Sequence, residues 1–273
     1  MKTAIKLVLI YFGIQILSAF AVVIPAAIYN AVQDHSIEEV GHFAIALSMF
    51  LAFIFMAIYL WKDGYIGKDK RTWSAISGTY LLFSVLICLA SIFIIDYLHT
   101  LLPKLPNLLD STFDTLQSGW LGILSIAVFG PVLEELLFRG AITKVLLKTY
   151  SPAKAIILSA LVFGVFHINP AQIIVGMLFG LVLGWIYYKT ASLIPCILIH
   201  MLNNSLAVYL DLKFPDAENM NDLFVGNTYF ILLIAAILLF TVSVLWMKRI
   251  PIPFPWKAEA MEIKEDYKVK TEE

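Results

Sequence analysis

The stretch "GPVLEELLFRG" (residues 130–140) sets Glu134 and Glu135 side by side, with Arg139 four residues beyond them. It lies between "WLGILSIAVF" (120–129) and "AITKVLL" (141–147), so three charges stand inside a run that reads as lipid-facing or packed helix. Ionisable groups in such a run are expensive and face a protein interior or a water-filled cavity. Whether the surroundings are membrane therefore decides both the fold and the meaning of the charges.

Composition answers that question. Of 273 residues 60% are hydrophobic and 14% charged, with mean hydropathy +0.86. Average soluble domains are about 45–50% apolar and roughly 25% charged. The chain reads as an all-α polytopic membrane helix bundle. Apolar runs of spanning length fall at 5–29, 42–61, 76–97, 119–138, 155–169, 171–188, 192–210 and 228–247, about eight transmembrane helices. The fifth is short, and the fourth holds the charged cluster.

Lysine and arginine asymmetry orients the bundle. With the N-terminus in the cytoplasm, 17 of the 19 basic residues fall on the cytoplasmic side, from Lys2 and Lys6 through Lys68, Lys70 and Arg71 to the tail. Only Lys104 and Lys213 lie outside, in segments rich in acids such as Asp34, Asp110, Asp114, Asp216 and Asp222. Both termini are then cytoplasmic. "AFA" at 19–21 resembles a signal cleavage site, but the apolar run continues to Ile28, longer than a signal h-region, and reads as an uncleaved helix. Cys88 and Cys196 fall within spans, which argues against a disulfide framework. The segment after Lys248 has mixed charge without apolar period and reads as a disordered cytoplasmic tail. No repeat, nucleotide loop or Cys/His zinc pattern is present, and nucleic acid is not an expected partner. The organisation follows as framing helices over 1–117, a polar-bearing core over 118–210, a last loop and helix over 211–248, and the tail over 249–273.

Helix geometry separates the glutamates. At about 100° per residue, Glu135 and Arg139 form an i,i+4 pair on one face, while Glu134 points away from Arg139. Glu134 is left where desolvation disfavours its charge, the condition under which a carboxyl group takes and returns protons near neutral pH. The plainer alternative is a snorkelling structural cluster with Arg139 at the cytoplasmic boundary. "FGVFH" (163–167) puts Phe163 and His167 on one face of another helix. "HMLNN" (200–204) aligns His200 with Asn204 and turns Asn203 elsewhere. Each of the last two alone reads equally as a core histidine or as interhelical glue. Three polar helices in one third of the chain point instead to one shared cavity, near mid-depth or in the cytoplasmic half, and Gly130-Pro131 could break the fourth helix and admit water.

"EELLFR" (134–139), "FGVFH" (163–167) and "HMLNN" (200–204) match EExxxR, FxxxH and HxxxN in order and spacing. Over residues 118–210 the chain resembles the CPBP family of intramembrane proteases, also called the Abi or CAAX-protease family. The resemblance implies an endopeptidase in which Glu134 and His167 activate a water. It further implies that His200 and Asn204 stabilise the oxyanion and that Glu135 and Arg139 support the site. The substrate would be a membrane-associated protein or peptide and the setting the plasma membrane of a prokaryote, with lipid as the surrounding partner. No cofactor is required in that scheme; zinc held by Glu134, His167 and His200 is the alternative, although HExxH is absent, as is the GxSxG serine motif. A proton-coupled transporter and a non-catalytic immunity or scaffold protein are the competing classes.

The orientation is tested with single introduced cysteines and membrane-impermeant thiol reagents. Positions in 31–40, 99–117 and 211–227 are expected to label from outside, and position 68 only after the membrane is opened; outside labelling at 68 would overturn the assignment.

Overall fold

The computed structural model describes residues 1–33, 37–67 and 70–250. The tail beyond Ile250, expected to be disordered, lies outside the described residues, as do Asp34 and Lys68. Among the described residues there are helices and no strands. The principal ones are α1 (Lys2–Gln33), α2 (Ile37–Lys62), α3 (Gly78–Thr100), α4 (Asp110–Gln117), α5 (Trp120–Thr149), α6 (Pro152–Phe166), α7 (Pro170–Thr190), α8 (Leu193–Lys213) and α9 (Thr228–Arg249). Seven of them are long and apolar enough to cross a membrane, and α6 is a shorter apolar helix. The protein is an integral membrane protein.

Local sequence sets the helix ends. Ser77 and Ser192 cap α3 and α8, accepting from the Tyr80 and Ile194 N–H groups. Pro152 and Pro170 open α6 and α7, where the missing N–H is harmless. Successive helices alternate in direction. At one face Ser192 Oγ donates to Ser74 O at 2.7 Å and Lys189 Nζ to Ile250 O at 2.6 Å. At the opposite face Gln117 Nε2 donates to Asp211 Oδ2 at 2.7 Å, and Asp96 accepts from Tyr229 Oη at 2.7 Å and from Met220 N at 3.1 Å. This alternation puts the start of α1 and the end of α9 on the same face.

Helix α5 is the axis. Its residues Glu135 to Thr143 are all buried, and 61% of its most apolar window is inside the protein, against 17% for α1 and 22% for α9. The outer helices turn Leu9, Leu17, Ile231, Leu238 and Val242 outward, the surface that lipid would cover. At 1.5 Å per residue α6 is about 22 Å long, too short for a hydrocarbon core of about 30 Å, so it ends within the bundle. Two expectations change here. The helix expected to stop at residue 138 runs on to Thr149, because Arg139 is satisfied inside the protein and does not mark a membrane boundary; it therefore leaves the tally of cytoplasmic cations. Gly130-Pro131 does not break the helix either. A π turn over Ser125–Phe129 lets the Gly130 N–H reach Ser125 O, and the helix passes through Pro131 without interruption.

Helices α6 and α7 pack closely. A Cβ added at Gly164 would stand 2.4 Å from Ile173 O and 2.3 Å from Met177 Cγ. Gly164→Ala is therefore expected to lower the melting temperature in detergent, with a loss of about 1–3 kcal/mol from overpacking. Gly13→Ala on lipid-facing α1, with nothing within 4 Å, is expected to leave it unchanged or slightly higher.

Candidate active site

The buried charges meet on one oxygen. Glu135 Oε1 accepts from Arg139 Nη1 at 2.8 Å and faces His200 Nδ1 at 2.7 Å. Glu135 and Arg139 side chains are fully buried. The i,i+4 pairing read from the sequence is thus present, and it recruits α8 as well. Arg139 Nη2 donates to Gly180 O at 3.3 Å, and its guanidinium lies 4.5 Å from the Phe163 ring centroid. One guanidinium thereby touches α5, α6 and α7. It does not snorkel.

Glu134 occupies the other side of His200. Its Oε2 stands 3.7 Å from His200 Nε2 and has no direct hydrogen-bond partner, although buried. As expected, Glu134 does not share Arg139. Of the two carboxylates it is the less enclosed, with 19% of its side chain accessible against none for Glu135. Glu135, held in the ion pair, is thus the more enclosed of the two.

His167 caps the end of α6 and does not lie within its last turn. Its Nδ1 lies 2.9 Å from Phe163 O. A carbonyl only accepts, so Nδ1 carries the proton and a neutral ring keeps its lone pair on Nε2. The Phe163 ring lies edge-on to both imidazoles, 4.9 Å from His167 and 5.8 Å from His200. Phe163 is thus the spacer that sets the two histidines apart. Gly176 of α7 gives His167 room, since a Cβ there would come within 3.2 Å of Nδ1.

Asn204 is positioned by the π turn. Gly130 N–H is spent on Ser125 O, and Pro131 has no N–H, so the Ile126 carbonyl is left without its helical donor. Asn204 Nδ2 fills that role at 3.2 Å, and Asn203 Nδ2 donates to Asn204 Oδ1 at 3.2 Å. Asn203, expected to turn elsewhere, instead fixes which way the Asn204 amide points. One Asn204 N–H joins α8 to α5, as interhelical glue would, and the second has no partner within α5. Among the described residues no three His, Cys, Asp or Glu side chains stand grouped closely enough to hold a metal ion.

Two features escaped the sequence. On α1, Gln15 Nε2 donates to the Tyr11 hydroxyl at 2.9 Å, with Tyr11 2% exposed and within electrostatic reach of Glu134. The Tyr11 ring rests 5.2 Å from that of Phe166, next to His167. The i,i+4 spacing of these two polar groups in an apolar run was the available signal. The second is the turn after His167. Ile168 has φ +60° and Asn169 is 1% exposed. A β-branched residue in that region is an outlier, costing on the order of 1–3 kcal/mol.

Comparison with known proteins meets this geometry on the same segment. The family described as type II CAAX prenyl endopeptidase Rce1-like matches residues 116–206. YdiL of Bacillus subtilis (strain 168), which bears the provisional name of membrane peptidase, is 26% identical over 100 residues, 37% of this chain and 41% of that protein. The chain thus matches less than half the length of this curated relative. No solved structure matches the chain.

The charge cluster makes a stability prediction. Glu135→Leu or Arg139→Met alone leaves one buried charge uncompensated and is expected to cost about 3–5 kcal/mol. The double substitution leaves neither, and in chemical or thermal denaturation it is expected to recover most of that loss. A loss in the double variant equal to the sum of the two single losses would show that the pair is not coupled.

Proposed function

We propose that the protein is an intramembrane endopeptidase of the CPBP (CAAX-protease) kind that hydrolyses a peptide bond of a membrane-associated protein or peptide, a reading supported by the match of residues 116–206 to the Rce1-like family. The observation that carries this reading is the unpartnered Glu134 Oε2, 3.7 Å from His200 Nε2. That separation is too long for a direct hydrogen bond, so this carboxylate oxygen is left available to an incoming water.

The chemistry follows from the proton inventory. Glu134 takes a proton from the water as its oxygen bonds to the scissile carbonyl carbon. His167, with its proton held on Nδ1 by Phe163 O, offers the Nε2 lone pair as the second acceptor that aligns the water. The carbonyl oxygen becomes an oxyanion, and the donors proposed for it are His200 Nε2–H and the second N–H of Asn204. His200 Nδ1 already donates to Glu135, so this role needs both ring protons. The imidazolium also balances charge, since Glu134 and Glu135 then stand against Arg139 and His200. The tetrahedral adduct collapses, the C–N bond breaks, and Glu134 returns its proton to the leaving nitrogen. Glu135 and Arg139 hold His200 in place. No metal enters these steps.

His200 is buried, and Glu134, His167 and Asn204 are half-buried, an accessibility that favours a substrate entering from the membrane. The basic-residue asymmetry puts the start of α1 and the end of α9 at the cytoplasmic face of a prokaryotic plasma membrane. His167, tied through Asn169 to Asn107 and Leu108, then lies toward the opposite face, not in the cytoplasmic half expected from the sequence. Outside the matched segment, residues 1–117 and 211–248 are the proposed frame.

Comparing membrane-associated peptides from cells with and without the protein would identify the substrate. On it, Glu134→Gln is expected to abolish turnover while the folded protein is retained, and full turnover would refute the chemistry. Asn204→Ala is expected to lower kcat by about 10²–10³ with a smaller effect on KM. A lowered melting temperature with a normal rate per folded molecule would make Asn204 glue instead. Chelator treatment is expected to leave turnover intact, with metal content measured on the same sample.

A further inference from the structure

Asn169 stands at the residue that would cap α7, yet its side chain makes no cap bond. It turns to the segment between α3 and α4. Its Oδ1 accepts from the Leu108 N–H at 3.0 Å, and its Nδ2 donates to Asn107 Oδ1 at 2.7 Å. Asn107 Nδ2 in turn donates to Asp110 Oδ1 at 2.8 Å, at the first residue of α4. Asn169 is 1% exposed, whereas the neighbouring Lys104–Glu218 pair is open to solvent. The buried attachment of residues 102–109 therefore runs through this amide.

The backbone on the other side is equally engaged. Asn169 N donates to His167 O at 2.6 Å, and Asn169 O accepts from Gln172 N and Ile173 N at 2.8 and 3.1 Å. Between His167 and Asn169 stands Ile168, with φ +60° and 62% exposed. Its side chain gains no enclosing contact that would favour the left-handed conformation. The conformation is imposed by the groups that flank it.

We infer that Asn169 is a positioning residue for His167: its amide latches the 102–109 segment to the turn after α6, and the latched turn holds Ile168 left-handed and so aims the imidazole. Released from the latch, Ile168 relaxes toward negative φ, and the ring beside it leaves its place on the Phe163 face. The latch brings a segment from outside residues 116–206 into the construction of the site. The inference rests on the reading of His167 as the water-aligning base.

The test reads the ring position separately from catalysis. In the full chain in detergent, carbethoxylation of His167 by diethyl pyrocarbonate is followed by mass spectrometry, with the exposed Lys248 amine at the far end of α9 as control. Asn169→Ala, and independently Asn107→Ala, which leaves the α7 start untouched, are expected to accelerate His167 modification several-fold without changing Lys248. Placed in an Ile168→Gly chain, for which positive φ carries no penalty, Asn169→Ala is expected to have a smaller effect. An unchanged His167 rate in both latch variants, or an effect as large in the Ile168→Gly chain, overturns the inference. Turnover of the substrate peptide is expected to fall on the order of ten- to a hundred-fold in kcat, with KM nearly unchanged. If His167 modification responds as expected while His167→Ala keeps full turnover, the latch stands and the catalytic reading of His167 falls.

Discussion

A single carboxylate oxygen, Glu135 Oε1, accepts from Arg139 and faces the His200 ring, deep in a chain made largely of apolar helices. Moving such ions out of water costs several kcal/mol each, and only close pairing with further hydrogen bonds offsets it. That requirement determines much of the architecture. Arg139 must also find Gly180 O on α7 and the Phe163 face on α6. Four helices are thereby brought to one point. A membrane interior supplies little other drive for helix association.

The arrangement separates two carboxylates that are neighbours in the chain. Glu135 is fully enclosed, with Oε1 serving two partners and Oε2 none, so it has no access to a substrate. Glu134 is partly accessible and keeps one oxygen unpartnered. Rigid support behind a less engaged group is the condition for preorganised chemistry, and it underlies the proposed division between a supporting and a reacting glutamate. The π turn before Pro131 belongs to the same construction, because the carbonyl it frees orients Asn204.

The framing helices are not passive. Tyr11 and Gln15 of α1 bring polar groups to the edge of the cluster, and the segment between α3 and α4 reaches the turn beside His167 through Asn169. Neither belongs to residues 116–206, so the matched third of the chain is completed by parts that the family similarity does not cover.

The amino-acid sequence alone determined that the chain is a helical membrane protein, because long apolar runs allow nothing else to span. It also determined the i,i+4 pairing of Glu135 with Arg139 and the approach of Glu134 to His200, since intramembrane polar groups must converge. Tertiary structure decided what local periodicity cannot encode. Arg139 lies in the core and not at a boundary, because its partners come from α6 and α7, remote in sequence. The chain passes Pro131 unbroken because the lost hydrogen bond is replaced by Asn204 from α8. Which glutamate is the more enclosed, and the left-handed turn at Ile168, depend on packing and on an amide bonded to a segment some sixty residues away; long-range contacts of that kind leave no period in the sequence.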